Sequence, residues 1–201
     1  MQVVVASGNK GKLAELQNLL APLGLDLVSQ SSLGIESAEE PFATFVENAL
    51  TKARHAATQA QLPAIADDSG LVVPSLNGAP GVLSARFAGD NATDADNNQK
   101  LIRQLFDDKG KPLRARSAHF YCALVFVSSA EDPAPIIATA RWYGEIQYQP
   151  TGSNGFGYDP HFFIPALQKA SAQLTPADKN RLSHRGQASA KLVPELAELL
   201  G

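Results

Sequence analysis

Residues 2–23 read QVVVASGNKGKLAELQNLLAPL, and the way this stretch divides decides the fold. Residues 2–6 are mostly β-branched or small. Ser7, Gly8, Asn9, Lys10, Gly11 and Lys12 then break the apolar run, after which leucines at 13, 16, 20 and 23 recur at helical spacing. The stretch predicts a strand, a polar glycine-rich loop and an amphipathic helix. Working outward, residues 25–28 predict a second strand. A helix of roughly four turns is expected from near Pro41, with Thr44, Asn48 and Lys52 as a polar row along one side. Residues 64–66 and 71–73 flank the acidic segment Asp67-Asp68-Ser69-Gly70, and Thr93 with Asp96 marks a capped helix start. Residues 119–127 are apolar at both parities, as in a strand covered on two faces, and residues 136–146 read as its neighbour. Thr175 caps a further helix, and Ser183 a last one interrupted at Pro194. Strands and helices interleave, which predicts an α/β fold with a mixed sheet and flanking helices in a single domain over residues 1–201.

A chain of 201 residues buries roughly 70% of its unfolded surface and needs no disulfide or structural metal. The lone Cys122 sits in an apolar run and reads as a core residue of a reducing compartment. No stretch approaches a membrane span and no basic leader precedes residues 2–6, so a soluble cytoplasmic protein without a membrane partner is expected. Charged residues make up 18% and the formal net charge is −3, which argues against a broad nucleic-acid-binding face. An anionic small molecule handled by a few local cations fits better.

Five segments carry chemistry. The loop from Ser7 to Lys12 offers backbone N–H groups, a hydroxyl and two ammonium groups at the positive end of a helix, as phosphate binding requires. It lacks Walker A spacing, and an ordinary solvated turn would look similar. Asp67 and Asp68 are adjacent, so an extended backbone points them to opposite faces; a type I turn is the alternative. Glu39 or Glu40 offers a second carboxylate, which with one of these aspartates suffices for Mg²⁺ alongside phosphate oxygens. Phe156 and Tyr158, in Gly155-Phe156-Gly157-Tyr158-Asp159-Pro160, are aromatics in a glycine-rich loop, suited either to stacking on a base or to plugging the core. Lys179, Arg181, His184 and Arg185 form the cationic cluster of the last third.

Six segments together resemble one family. They are Ser7-Gly8-Asn9-x-x-Lys12; Glu39-Glu40 with Phe45-x-Glu47-Asn48-Ala49-x-x-Lys52-Ala53; and Ala66-Asp67-Asp68-Ser69-Gly70-Leu71. The later three are Gly78-x-Pro80-Gly81-x-x-Ser84-Ala85-Arg86; the Gly155 to Pro160 run; and Ser183-His184-Arg185-Gly186. Across nearly the whole chain the sequence is similar to the inosine/xanthosine triphosphate pyrophosphatases, with Ser7 where many members carry threonine. The resemblance implies a long mixed sheet with helices, two lobes around a central cleft, and a homodimer. It implies hydrolysis of ITP, dITP and XTP to monophosphate and pyrophosphate. The loop from Ser7 through Gly8, Asn9, Lys10 and Gly11 to Lys12 would hold the triphosphate, with Lys52 as an additional cation. Glu39 and Asp68 would bind Mg²⁺, Asp68 also accepting the proton of the attacking water. Ser69, Phe156, Gly157, Tyr158, Asp159, Lys179, His184 and Arg185 would contact substrate, the aromatics stacking on the purine. A nucleotide sensor and an orthophosphate-releasing phosphatase are the rival readings.

Overall fold

The computed structural model describes residues 1–7 and 10–200. Gly8, Asn9 and the side chain of Lys10, all expected phosphate contacts, lie outside the described residues. The strands are β1 (Gln2–Ala6), β2 (Asp26–Ser29), β3 (Ala64–Val72), β4 (Ser117–Val127), β5 (Ile136–Ile146), β6 (Phe162–Ile164) and β7 (Lys169–Ala170). The helices are α1 (Lys10–Leu20), α2 (Phe45–Ala60), α3 (Asp94–Leu105), α4 (Pro176–Leu182) and α5 (His184–Leu200). Among the described residues the strands form one seven-stranded sheet in the order β2-β1-β3-β4-β5-β6-β7. It is mixed: β1 runs parallel to β2 and β3, whereas β5, β6 and β7 alternate in direction.

The chain divides into two compact units. One comprises Met1–Asp68, Cys122–Ala140 and His184–Gly201, the other Ser69–Tyr121 and Arg141–Ser183. The core of the first joins Val3, Val5, Leu16, Leu20, Ile65, Leu124, Phe126, Leu192 and Leu196, with Leu13 and Leu23 partly buried against it. Here the expected leucine stripe of α1 meets the sheet, each fully buried leucine contributing roughly 1.5–3 kcal/mol. Cys122 lies in the same core, where burial pushes its thiol well above the ordinary range. The second core is aromatic: Phe162 packs against Phe120 and Trp142, at centroid separations of 4.7 and 5.3 Å.

Two local expectations are corrected and one alternative is settled. Helix α2 begins at Phe45, not near Pro41, because Thr44 caps it by accepting the Glu47 N–H at 3.3 Å. Asn48 additionally ties up both the N–H and the carbonyl of Phe42, at 3.0 Å each, holding that residue outside the helix. The alternative of a type I turn at Asp67–Gly70 does not form, since residues 64–72 are one unbroken strand. Pro194 does not interrupt the final helix. It removes one backbone donor, but buried Leu192 and Leu196 on either side keep α5 anchored. The Thr93–Asp96 capping box of α3 and the Thr175 cap of α4 form as their sequences predict.

Candidate functional site

Strand β3 supplies the first cluster. Its alternation sends Asp67 and Asp68 to opposite faces, and both are buried. Asp67 faces Lys12 of α1 at 3.3 Å and accepts a hydrogen bond from Arg185 Nε at 3.0 Å. Arg185 in turn reaches Glu15 of α1 at 2.8 Å. Burial opposes the Arg185 charge, but Asp67 and Glu15 outweigh it and hold the guanidinium firmly protonated. The expected substrate cation Arg185 is thus a buried member of an ion network in the first unit, engaged with two carboxylates. The adjacent His184, the first residue of α5, is likewise buried. Glu15 was not expected; its place one turn beyond Lys12 on the same helix was the available signal.

Asp68 sits in a different setting. Lys52 Nζ donates to Asp68 Oδ1 at 3.0 Å and to Glu40 Oε1 at 2.7 Å, so a single ammonium joins a strand carboxylate to a loop carboxylate. Burial works against the Lys52 charge, yet Asp68, Asp67 and Glu40 outweigh it and raise its pKa above the ordinary lysine value. The polar row of α2 thereby resolves into separate roles, since Thr44 caps, Asn48 fixes Phe42 and Lys52 reaches the carboxylates. Burial pushes the Asp68 carboxyl above the ordinary carboxylate range despite the pull of Lys52 and Lys12. Its Oδ2 is buried and has no hydrogen-bond partner among the described residues.

A buried, unpartnered carboxylate oxygen beside a second carboxylate is a hard oxygen donor set. It suits a divalent cation that takes its remaining ligands from phosphate and water. Among the described residues no cluster of three or more His, Cys, Asp or Glu could cage a metal unaided. Of the two neighbouring glutamates, Glu40 is the one that shares the Lys52 ammonium with Asp68. Glu39, expected as the second carboxylate, has an exposed side chain with no hydrogen bond or ion pair among the described residues. Gly11 and Lys12 fall within the first turn of α1, which carries no acidic residue, so the loop ahead of the helix is shorter than expected. Ser7 lies just before it, its N–H donating to the Val5 carbonyl at 3.0 Å.

The second unit builds its cluster on Asp159. Oδ2 accepts from Lys179 Nζ at 2.7 Å and from the Phe156 N–H at 2.9 Å, while Oδ1 accepts from Ser171 Oγ at 2.8 Å. Both oxygens are therefore satisfied, and Asp159 is a buried bracket that fixes the loop and the lysine. Gly155 has φ of +79°, and a Cβ there would run into the Asp159 carboxylate, so only glycine closes the turn. Lys179 Nζ lies 4.7 Å from the centroid of the half-buried Phe156 ring. Tyr158 departs from expectation. Its ring is in the second core and its hydroxyl donates to the Ser84 carbonyl at 2.8 Å, so it plugs the core rather than offering a stacking face. Burial, reinforced by Asp94, pushes its phenol well above the ordinary range.

Ser69 lies on β3 just past Asp68 and is half-buried. Beyond it Gly70 leaves room for Ser84, whose hydroxyl accepts the Leu71 N–H at 2.9 Å and donates to the Gly81 carbonyl at 2.6 Å. Arg181 is exposed and, among the described residues, pairs with Asp178 at 3.4 Å, outside the cluster.

The comparisons agree over almost the full length. A dITP/XTP pyrophosphatase of Ralstonia nicotianae is 56% identical over 198 residues, spanning 97% of this chain and 96% of that protein. One of Nitrosomonas europaea is 52% identical over 197 residues, spanning 98% and 95%. The solved structure of a HAM1 protein from Coxiella burnetii shares 48% identity with a TM-score of 0.88, over 98% of this chain and 99% of that one. The model of the Ham1 family matches residues 3–195, and on that extent of agreement the chain belongs to the Ham1 family.

Proposed function

We propose that residues 1–201 act as one Mg²⁺-dependent nucleoside-triphosphate pyrophosphatase that hydrolyses ITP, dITP and XTP to the monophosphate and pyrophosphate. The observation that carries this reading is Lys52 bridging Asp68 and Glu40 while Asp68 Oδ2 stays buried and unpartnered. The names of the two bacterial relatives, dITP/XTP pyrophosphatases, support the substrate class. Mg²⁺ held by Asp68 and Glu40 would neutralise charge on the triphosphate. Asp68 orients the attacking water toward the α-phosphorus and accepts its proton as pyrophosphate leaves. Lys12, Lys52 and the N–H groups at the start of α1 stabilise the charge that develops on the phosphates, which accounts for a site without a covalent nucleophile.

The base falls to Phe156 and Lys179. The ring offers a stacking face and the ammonium a donor for the C6 oxygen of hypoxanthine or xanthine. Adenine presents an amino group there, and a donor facing a donor lets such a site discriminate by about 10⁴–10⁵. The protein is further proposed to be a cytoplasmic homodimer; size-exclusion chromatography with light scattering tests the dimer, and a monomer would refute it.

Incubation with ITP, XTP, dITP, ATP and GTP plus Mg²⁺, with product identification, tests the function. Monophosphate with pyrophosphate from the first three is expected. Diphosphate with orthophosphate would indicate a phosphatase, and binding without turnover a sensor.

A further inference from the structure

We infer that Asp94 and Asn98, one turn apart on α3, are positioning residues that hold the Phe156 ring in place for the purine; this rests on the base-binding role proposed above. The two side chains take hold of Gly157 from both sides. Asp94 Oδ2 accepts the Gly157 N–H at 2.6 Å, and Asn98 Nδ2 donates to the Gly157 carbonyl at 2.8 Å. The Gly157 N–H belongs to the peptide that also carries the Phe156 carbonyl, while the Phe156 N–H is held by Asp159 at 2.9 Å. The backbone of Phe156 is thus fixed on both flanks, from α3 on one and from Asp159 on the other. Gly157 adopts φ of +62° with open space where a Cβ would sit, so the residue is glycine for its backbone angle and not for room.

Neither contact is accounted for by the needs of α3 itself. Its start is already closed by Thr93 and Asp96, which exchange both bonds of a capping box, so the Asp94 carboxylate is surplus to capping. Asn98 donates to two carbonyls, those of Asp94 and Gly157, each at 2.8 Å, which fixes which end of its amide is nitrogen. That orientation leaves Asn98 Oδ1 buried with no partner among the described residues. An uncompensated acceptor is costly, and it is retained where the donor beside it is needed.

Because a stacked ring is indifferent to the substituents of the base, loosening it should weaken all purine substrates alike. Asn98→Ala and Asn98→Asp, the latter placing an acceptor against two carbonyls, should each raise KM about ten-fold for ITP and XTP equally, with kcat within about two-fold of wild type. Asp94→Ala should act similarly, and Asp94→Asn, which keeps an acceptor oxygen, should recover most of the lost KM. Asp94 is exposed, so its variants remain informative if those at 98 fail to fold. Unchanged KM with only a lowered melting temperature or kcat overturns the inference, as does a KM change confined to one base, which would mean direct contact. If the wild type binds ITP without cleaving it, the pyrophosphatase reading fails. The clamp is then tested by calorimetric ITP affinity, where a wild-type Kd in Asn98→Ala overturns it.

Discussion

Two lysine–aspartate pairs, Lys52–Asp68 and Lys179–Asp159, are similar in length, at 3.0 and 2.7 Å, and in both the aspartate is buried. They differ in what remains once the lysine is accounted for. Asp159 has donors on both oxygens, from Lys179, the Phe156 N–H and Ser171, so nothing about it is left to react. Asp68 shares its lysine with Glu40 and keeps Oδ2 buried without a partner among the described residues. A satisfied buried carboxylate stabilises and positions; one left incomplete at the cost of desolvation is available to a cation, a water or a proton. On the proposed function, the same chemical pair therefore serves as scaffold in one unit and as chemistry in the other.

Variants that exchange these properties should separate them. Asp68→Asn removes the carboxylate charge and one acceptor but keeps the shape, and should lower kcat by about 10³-fold with the fold intact. Turnover near wild type in a well-folded protein would mean that the bare oxygen has no role. Asp159→Ala strands the Lys179 ammonium in a buried setting and frees the Phe156 N–H. Its main effect should be on stability, about 3–5 kcal/mol in urea unfolding. A loss of kcat as large as that of Asp68→Asn, at unchanged stability, would erase the distinction. Phe156→Leu leaves both pairs intact and removes only the aromatic face. KM for ITP should rise about ten-fold with little change in kcat, consistent with ~1–3 kcal/mol for a base stack.

The smallest effect concerns His161, in the second unit. Its Nδ1 lies 3.0 Å from the Gln147 carbonyl, and burial depresses its pKa below the ordinary histidine value of 6.5. The folded state therefore favours the neutral ring more than the unfolded chain does. The stability it contributes is complete above about pH 6.5 and declines as pH falls through that value toward the folded pKa. Urea midpoints should fall between about pH 7 and pH 5, and His161→Gln should flatten that slope. An identical slope in the variant would remove His161 from the account.

Much of this contrast can be read from local pattern. The leucine stripe of α1, the all-apolar β4 and the Thr93–Asp96 box depend on residues within a turn or two of one another, and each forms in place. Extended geometry alone separated Asp67 from Asp68. The start of α2 was also legible, since Thr44 and Glu47 have capping-box spacing and outweigh the lure of Pro41. What stayed hidden depends on contacts between distant segments. Arg185 meets Asp67 only because α5 packs against the first core, 118 residues further along the chain. Phe156 and Tyr158 differ in burial, but their loop has no periodicity from which a face could be inferred. Glu39 and Glu40 are neighbours in a segment without regular structure, and only the reach of Lys52 distinguishes them.

The central claim is that water directed by Asp68 attacks the α-phosphorus. Hydrolysis of ITP in water enriched in heavy oxygen, with mass analysis of both products, tests it most directly. The account predicts the heavy label in the monophosphate and none in pyrophosphate. Label in pyrophosphate, or release of labelled orthophosphate, would contradict it.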